Sequence, residues 1–306
     1  MATFKIEPDE NTLHGFFSRD LKPVLTIDSG DTVHFKTIDA EWGLENFNIT
    51  LFDPKGDQPP RKFATTNIEG PKGHALCGPV FIRGAEPGMT LAIHIESIQP
   101  GKWGWTVGGK TAEGQVMHLW ELDPIHMRGR NQHGHQVPLR PFMGVMGMPP
   151  AEEGQHKTNP PRVTGGNMDC KELVAGSILY LPIAVAGGLF STGDGHAAQS
   201  DGEVSNTAIE CPMEDARLTF RLHPNLTIPT PRVWTSTCWL TLGFDESLNV
   251  AARTALDAML DLMVEQRGVT RADALALASV VVDLRVTQIA NKVLGVHAVL
   301  PHDAWQ

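Results

Sequence analysis

The stretch "GDGHAAQSDGEV" (193–204) gathers four side chains able to hold a cation or move a proton: Asp194, His196, Asp201 and Glu203. In extended backbone, residues two apart face the same side, so Asp194 falls with His196 and Asp201 with Glu203. Imidazole and carboxylates are the donors that zinc and similar divalent ions take, and a catalytic ion keeps one position open for water. Calcium also suits an oxygen-rich glycine loop, although the spacing is not that of an EF-hand. The plain alternative is an Asp/Gly surface turn with a solvated histidine. Large hydrophobic residues are nearly absent. Gly193, Gly195 and Gly202 therefore predict a pliable segment able to take left-handed angles, not a core strand or a helix.

Other candidates lie upstream. In "TNPPRVTGGNMDC" (158–170), Gly165 and Gly166 form a turn that presents Asp169. In "HFKTIDAEW" (34–42), a strand of alternating character ends at Asp39. Each of these carboxylates, taken alone, also fits an ordinary turn or cap. His94 shares the polar face of its strand with Glu96, where it either lines a site or meets solvent. "HGH" (133–135) has the spacing of a metal pair, but its polar, glycine-rich surroundings predict a surface loop. The four cysteines (Cys77, Cys170, Cys211 and Cys238) lie far apart without a CxxC pair and read as free thiols of a cytoplasmic protein. A nucleophilic Cys170 or Cys77 is the rival chemistry, but Asp169 beside Cys170 would raise that thiol rather than activate it. Trp103 and Trp105 in "GKWGW" read either as a platform for a bound sugar or as packing.

Short strands must position these groups. "TLAIHIESI" (90–98) places Leu91, Ile93 and Ile95 on one face, and "ARLTFRLHP" places Leu218, Phe220 and Leu222 likewise. "SILYLPIAV" (177–185) is apolar on both faces and predicts a strand buried on both sides. Residues 100–165, rich in Gly, Pro and His, predict long irregular connections. After residue 246 the period becomes helical: Leu248, Ala252, Ala255, Met259 and Met263 share a face, with Ser247 as a cap and Gly268 as a stop. Thr270 caps a second helix over about 271–284, with Asp273 in its first turn. "GVHAVLP" closes as a strand. The expected fold class is mainly β (α+β), a jelly-roll-like sandwich body over 1–245 that carries the site, with a helical hairpin and closing strand over 246–306 packed upon it.

The 306 residues are 41% hydrophobic and 20% charged, which excludes a disordered chain. A net charge of -10 disfavours nucleic acid and anionic membrane surfaces as partners. No apolar run is long enough to span a bilayer, and "MATFKIEPDENTLHGFF" lacks the pattern of a signal peptide.

Five blocks carry a family resemblance: "CGPVFIRGAEPGMTLAIHI" (77–95), "PLRPFMGVMGMPPAE" (138–152), "NPPRVTGGNMDC" (159–170), "LYLPIAVAGGLFSTGDGHAAQSDGEVSNTAIEC" (179–211) and "VVDLRVTQIAN" (281–291). In this order they resemble the acetamidase/formamidase family, over about residues 29–301, and its acetamidase-like branch in particular. The resemblance implies metal-dependent hydrolysis of the C–N bond of a short aliphatic amide or small lactam, releasing ammonia, in a homo-oligomeric cytoplasmic enzyme. It implies Asp169 and His196 as metal ligands, then Asp39 and Asp194. Asp194, Asp201 and Glu203 share one block, and the resemblance leaves open which ligate and which do acid–base work; acid–base work is assigned here to Glu203 and Asp201, and Gln199, Glu210 and His94 are placed around the substrate. Zinc is the implied ion, with calcium as a second. Ser200 and Ser205 depart from the family's usual residues inside this block.

Overall fold

The computed structural model describes residues 1–47, 61–111 and 114–304. Its centre is a nine-stranded sheet in the order Thr3–Ile6, Thr32–Thr37, Met213–His223, Thr90–Pro100, Ile178–Pro182, Arg232–Trp234, Cys238–Asp245, Leu294–Pro301, Asp283–Gln288. A six-stranded sheet, running Gly165–Asn167, Phe142–Gly147, Phe190–His196, Leu76–Ile82 and Leu13–His14, with Leu25–Ile27 also on Leu76–Ile82, lies against it. The alternation of Thr90–Pro100 and Met213–His223 explains the packing: Leu91, Ile93, Ile95, Leu218 and Phe220 are all buried toward the second sheet. Phe190 from the six-stranded sheet meets Phe220 edge-on at 5.0 Å and Phe35 at 6.2 Å, which joins the two layers. Truncating Phe190 to alanine would cost about 3–5 kcal/mol, the usual figure for a buried aromatic ring. The body is therefore mainly β, as expected.

Several local expectations are corrected. Residues 100–147 are not irregular: Trp103–Thr111, Gly114–Asp123, Arg128–Asn131 and Gln136–Pro138 form a four-stranded ribbon, and Phe142–Gly147 is a buried strand, whereas 148–164 is the expected irregular connection, broken only by the short strand His156–Lys157. Some glycines there serve close packing rather than looseness. A Cβ on Gly104 would lie 2.7 Å from the carbonyl oxygen of Glu210. "SILYLPIAV" is a strand over Ile178–Pro182 only. Leu179 and Leu181 are fully buried, whereas Tyr180 is half-buried on the other face against His223 and Trp239.

Helix α1 (Leu248–Arg267) buries Ala251, Ala255, Met259, Leu262 and Met263 on the outer part of the large sheet. It approaches so closely that a Cβ on Gly243 would sit 2.1 Å from the carbonyl oxygen of Ala251. Gly268 stops it in the left-handed conformation at φ 65°, but the Ser247 side chain makes no capping bond. Helix α2 (Arg271–Val281) is capped as expected, with Thr270 Oγ1 accepting from the Asp273 N–H at 3.1 Å. It ends three residues before the expected boundary. The β-branched run at 280–282 instead leads into Asp283–Gln288, so the chain after 246 also adds two strands to the body's own sheet. Among the described residues, no helix is long and apolar enough to cross a membrane.

Candidate metal centre

The opening stretch is, against expectation, part of a core strand. Residues 190–196 are all buried between Phe142–Gly147 and Leu76–Ile82. Asp194 and His196 point from one face, as the two-residue spacing requires. Gly193 and Gly195 face the other way. A Cβ there would meet the carbonyl oxygen of Ala75 at 2.2 Å and that of Cys211 at 2.7 Å, so these glycines permit close packing and do not take left-handed angles. Gly202 does take a positive angle, at φ 95°, and so do three carboxylates: Asp169 (φ 49°), Asp194 (φ 58°) and Glu203 (φ 44°). Non-glycine residues in that region carry strain that the surrounding structure must hold, and three of them converge on one site.

Asp169 follows the strand Gly165–Asn167, its N–H donating to the Gly144 carbonyl at 3.3 Å. Glu203 sits in a tight turn, latched to the C-terminal strand by Gly202 N–H to Thr287 C=O (3.1 Å) and Ile289 N–H to Gly202 C=O (2.9 Å). Glu210 is fixed by reciprocal backbone bonds to Trp105, and its Oε1 accepts from the Ala208 N–H at 2.9 Å. His196 Nε2 lies 3.3 Å from Asp194 Oδ1 and 3.2 Å from Glu210 Oε2. Two groups of donor atoms gather within 4.8 Å, Asp169–His196–Glu203 and Asp194–His196–Glu210, all buried and sharing the imidazole. Beneath them Gly144 leaves an opening. A Cβ at that position would fall 2.7 Å from Asp194 Oδ2, 2.8 Å from Asp169 Oδ1 and 3.0 Å from His196 Cε1.

Electrostatics shows what this arrangement lacks. Among the described residues, both oxygens of Asp169 and Oε2 of Glu203 are buried without a hydrogen-bond donor, and Oε2 of Glu210 has only the His196 ring beside it. Native proteins pair buried polar atoms, so orphans clustered around one point ask for a cation. Burial, with the Glu203 charge next, drives the Asp169 carboxyl well above its ordinary range. Burial also raises Glu203, and pushes Glu210 up to about 8. Burial acts on Asp194 too, but the positive charges of His196 and His74 hold it low. Burial disfavours the imidazolium of His196, yet Glu210 and Asp194 outweigh that and raise it.

Gln199 settles the tautomer. Its Nε2 donates to the Asp169 carbonyl at 2.8 Å, which leaves Oε1 facing His196 Nδ1 at 2.9 Å. Nδ1 therefore carries a hydrogen in either protonation state, and when Nε2 gives up its own proton to a cation its lone pair is directed among the carboxylates, the geometry of a ligand oriented from behind. The donor set of one imidazole and several carboxylates fits a divalent ion.

A cleft of about 440 Å³ opens over the group, bounded by Trp42, His74, Trp105, Asn167, Asn206 and Asn291. Not every expected residue belongs to it. Asp39 is buried elsewhere: it pairs with Arg61, accepts from Trp105 Nε1 at 3.1 Å and caps the Glu41 N–H at 2.7 Å, which leaves no oxygen free for an ion. Asp201 pairs with Lys171 at 2.9 Å and lines a different cavity. His94 stands on the large sheet in register with Ile178 and Thr219, away from the cleft, with its basicity lowered by burial and by Arg221. Gln199 holds the histidine from behind and does not line the cleft. His133 and His135 are exposed and ring-stack loosely with His118. Asn131 Nδ2 donates toward His118 Nδ1 (2.8 Å) and His135 Nδ1 (3.2 Å), so those nitrogens are occupied. Gly144 and Asn167 were missed. A glycine inside the buried strand "FMGVMG" is the signal that something approaches closely there.

Fold and site together define a mainly-β protein with a buried carboxylate–imidazole centre suited to a divalent cation. The acetamidase/formamidase family profile matches residues 2–159 and 151–226, and the chain belongs to that family. It is 49% identical to a formamidase of Methylophilus methylotrophus, over 64% of this chain and 60% of that protein. The chain thus spans about 60% of the length of the formamidase relatives it matches. Crystal structures of acetamidases from Yersinia enterocolitica (TM-score 0.85, 26% identity, 99% of this chain and 93% of that one) and Bacillus halodurans (TM-score 0.83, 27% identity, 97% of each) share the fold.

Proposed function

We propose that this chain hydrolyses the C–N bond of short aliphatic amides such as formamide and acetamide, yielding a carboxylate and ammonia, with a divalent cation held by Asp169, Asp194, His196 and Glu210 and with Glu203 beside it as the acid–base group. The observation that carries this reading is the set of orphaned buried oxygens around His196 at the floor of a cleft. Zinc is the ion proposed, because imidazole and carboxylate are its usual ligands; the surplus of carboxylates suits calcium as a second ion. When bound, such an ion supplies positive charge that acidifies water and offsets the charge growing on the amide oxygen.

The protein's own groups do the rest. His196 is held in one tautomer by Gln199, and the left-handed backbone of Asp169 and Asp194 brings their oxygens to the same point. Glu203 takes a proton from the attacking water and returns it to the departing nitrogen, so that water and amide become acid and ammonia with no other reagent. The rival thiol chemistry is disfavoured: Cys77 and Cys170 are fully buried, and burial pushes both thiols up to about 12. Trp105 is buried with its N–H on Asp39, which does not suit a sugar platform.

The test is ammonia release from formamide and acetamide before and after dialysis against a chelator, with zinc then restored. The proposal expects loss and recovery of turnover. Undiminished turnover by metal-free protein, or none by zinc-loaded protein, would overturn it.

A further inference from the structure

We propose that Oδ1 of Asn167 accepts a hydrogen bond from an N–H on the substrate's amide nitrogen, which makes the site select amides that carry an N–H over ketones and esters of the same shape. This inference rests on the amidase reading above and deepens it. Asn167 ends the strand Gly165–Asn167, with its backbone in register with Val145, two residues before Asp169. It lines the same cleft as Asp194, His196, Glu203 and Glu210. Only 4% of its surface is exposed, and Oδ1 is buried with no donor among the described residues.

A buried carbonyl oxygen without a donor is costly in a folded protein and calls for an explanation. The rival claimant for Oδ1 is the cation itself, and the two are told apart by zinc content: loss of zinc from Asn167→Leu would make Oδ1 a ligand and overturn the inference. The side chain is not a loose surface amide, since its strand is rigidly seated: a Cβ on Gly165 would lie 2.3 Å from the Met146 carbonyl oxygen. What is missing is an N–H donor that enters the cleft and leaves again. A primary amide brings one on its nitrogen. A ketone or an ester of similar shape brings none, and neither does the carboxylate product. A site built to bond an N–H discriminates strongly against the analogue that lacks it, because the buried acceptor is then left unpaired.

The closest pair of probes is acetamide and acetone, in which a methyl group replaces –NH2. Binding of each to the zinc-loaded protein is measured by ligand-observed NMR titration, which needs no turnover. Ammonia release is recorded on the same samples. The proposal expects wild-type protein to bind acetamide at least tenfold tighter than acetone. In Asn167→Leu that ratio should fall to about one, and kcat/KM for acetamide should fall tenfold or more, with zinc content and melting temperature close to wild type. Asn167→Ser, which restores a small acceptor, should recover part of the preference, and it serves alone if the leucine variant does not fold. Equal affinity of wild-type protein for the two probes would overturn the inference, and so would a preference that survives both substitutions. If acetamide is preferred through Asn167 but no ammonia appears, only the amidase reading fails.

Discussion

Replacing Gly144 by alanine is expected to empty the metal centre while leaving the fold standing. The added methyl group would lie 2.7 Å from Asp194 Oδ2 and 2.8 Å from Asp169 Oδ1, against an ordinary contact of 3.4 Å or more. The two oxygens must retreat by about 0.7 and 0.6 Å, whereas metal–ligand distances tolerate only about 0.2 Å. Neither aspartate has a long stem to absorb the shift, and both already sit at positive φ. His196 Cε1, 3.0 Å away, is pressed from the same side. Displacing two ligands and crowding a third should weaken binding by at least the 10–100-fold typical of losing one supporting interaction, about 1.4–2.7 kcal/mol. The assay is isothermal titration of chelator-treated protein with zinc, beside a thermal melt of the metal-free form. Wild-type zinc affinity in Gly144→Ala would refute the reasoning, because the cradle would then not hold the ion.

Three further outcomes follow from the same geometry. Gln199→Met should lower zinc affinity about 10–100-fold without touching substrate, because the His196 tautomer is no longer selected; titration checks this. In metal-free protein, Asp169, Glu203 and Glu210 have raised carboxyls, so the folded state keeps protons that the unfolded chain gives up near pH 4. Stability should therefore decline as pH rises from about 5 to about 8, by about 1.4 kcal/mol per pH unit for each proton retained, and the raised His196 acts in the same direction. Asp194, held low, changes stability only at more acidic pH. The gain in melting temperature on adding zinc should accordingly grow with pH; parallel melting curves with and without zinc would contradict this. Finally, Cys170→Ala should keep wild-type kcat for acetamide, and a loss of turnover in a folded variant would revive the thiol mechanism.

How much of this could be read in the chain depends on the distance over which each signal acts. Asp194 and His196 share a face by two-residue spacing alone, and the faces of Thr90–Pro100 and Met213–His223 follow from their alternation. Convergence of Asp169 with His196 came from family resemblance, not from spacing. Asp39 looked equivalent because nothing local shows that Arg61, twenty-two residues on, neutralises it. Asp201 repeated the Asp194 pattern, but it faces a second cavity that Glu203 also lines and that Asp194 and His196 do not. The glycines of 193–196 suggested looseness, whereas they answer to neighbours on other strands, and only cross-strand packing reveals that. Asn167 was invisible for the same reason, and Gly144 showed only as a glycine inside an apolar run, without the partner that approaches it.

Anomalous diffraction at the zinc absorption edge, from crystals of zinc-loaded protein, tests the centre most directly. The account predicts a peak within coordination distance of His196 Nε2, with oxygens of Asp169, Asp194 and Glu210 as its other neighbours. A zinc-replete, amide-hydrolysing protein whose anomalous density lies elsewhere, with His196 still bonded only to protein groups, would contradict it.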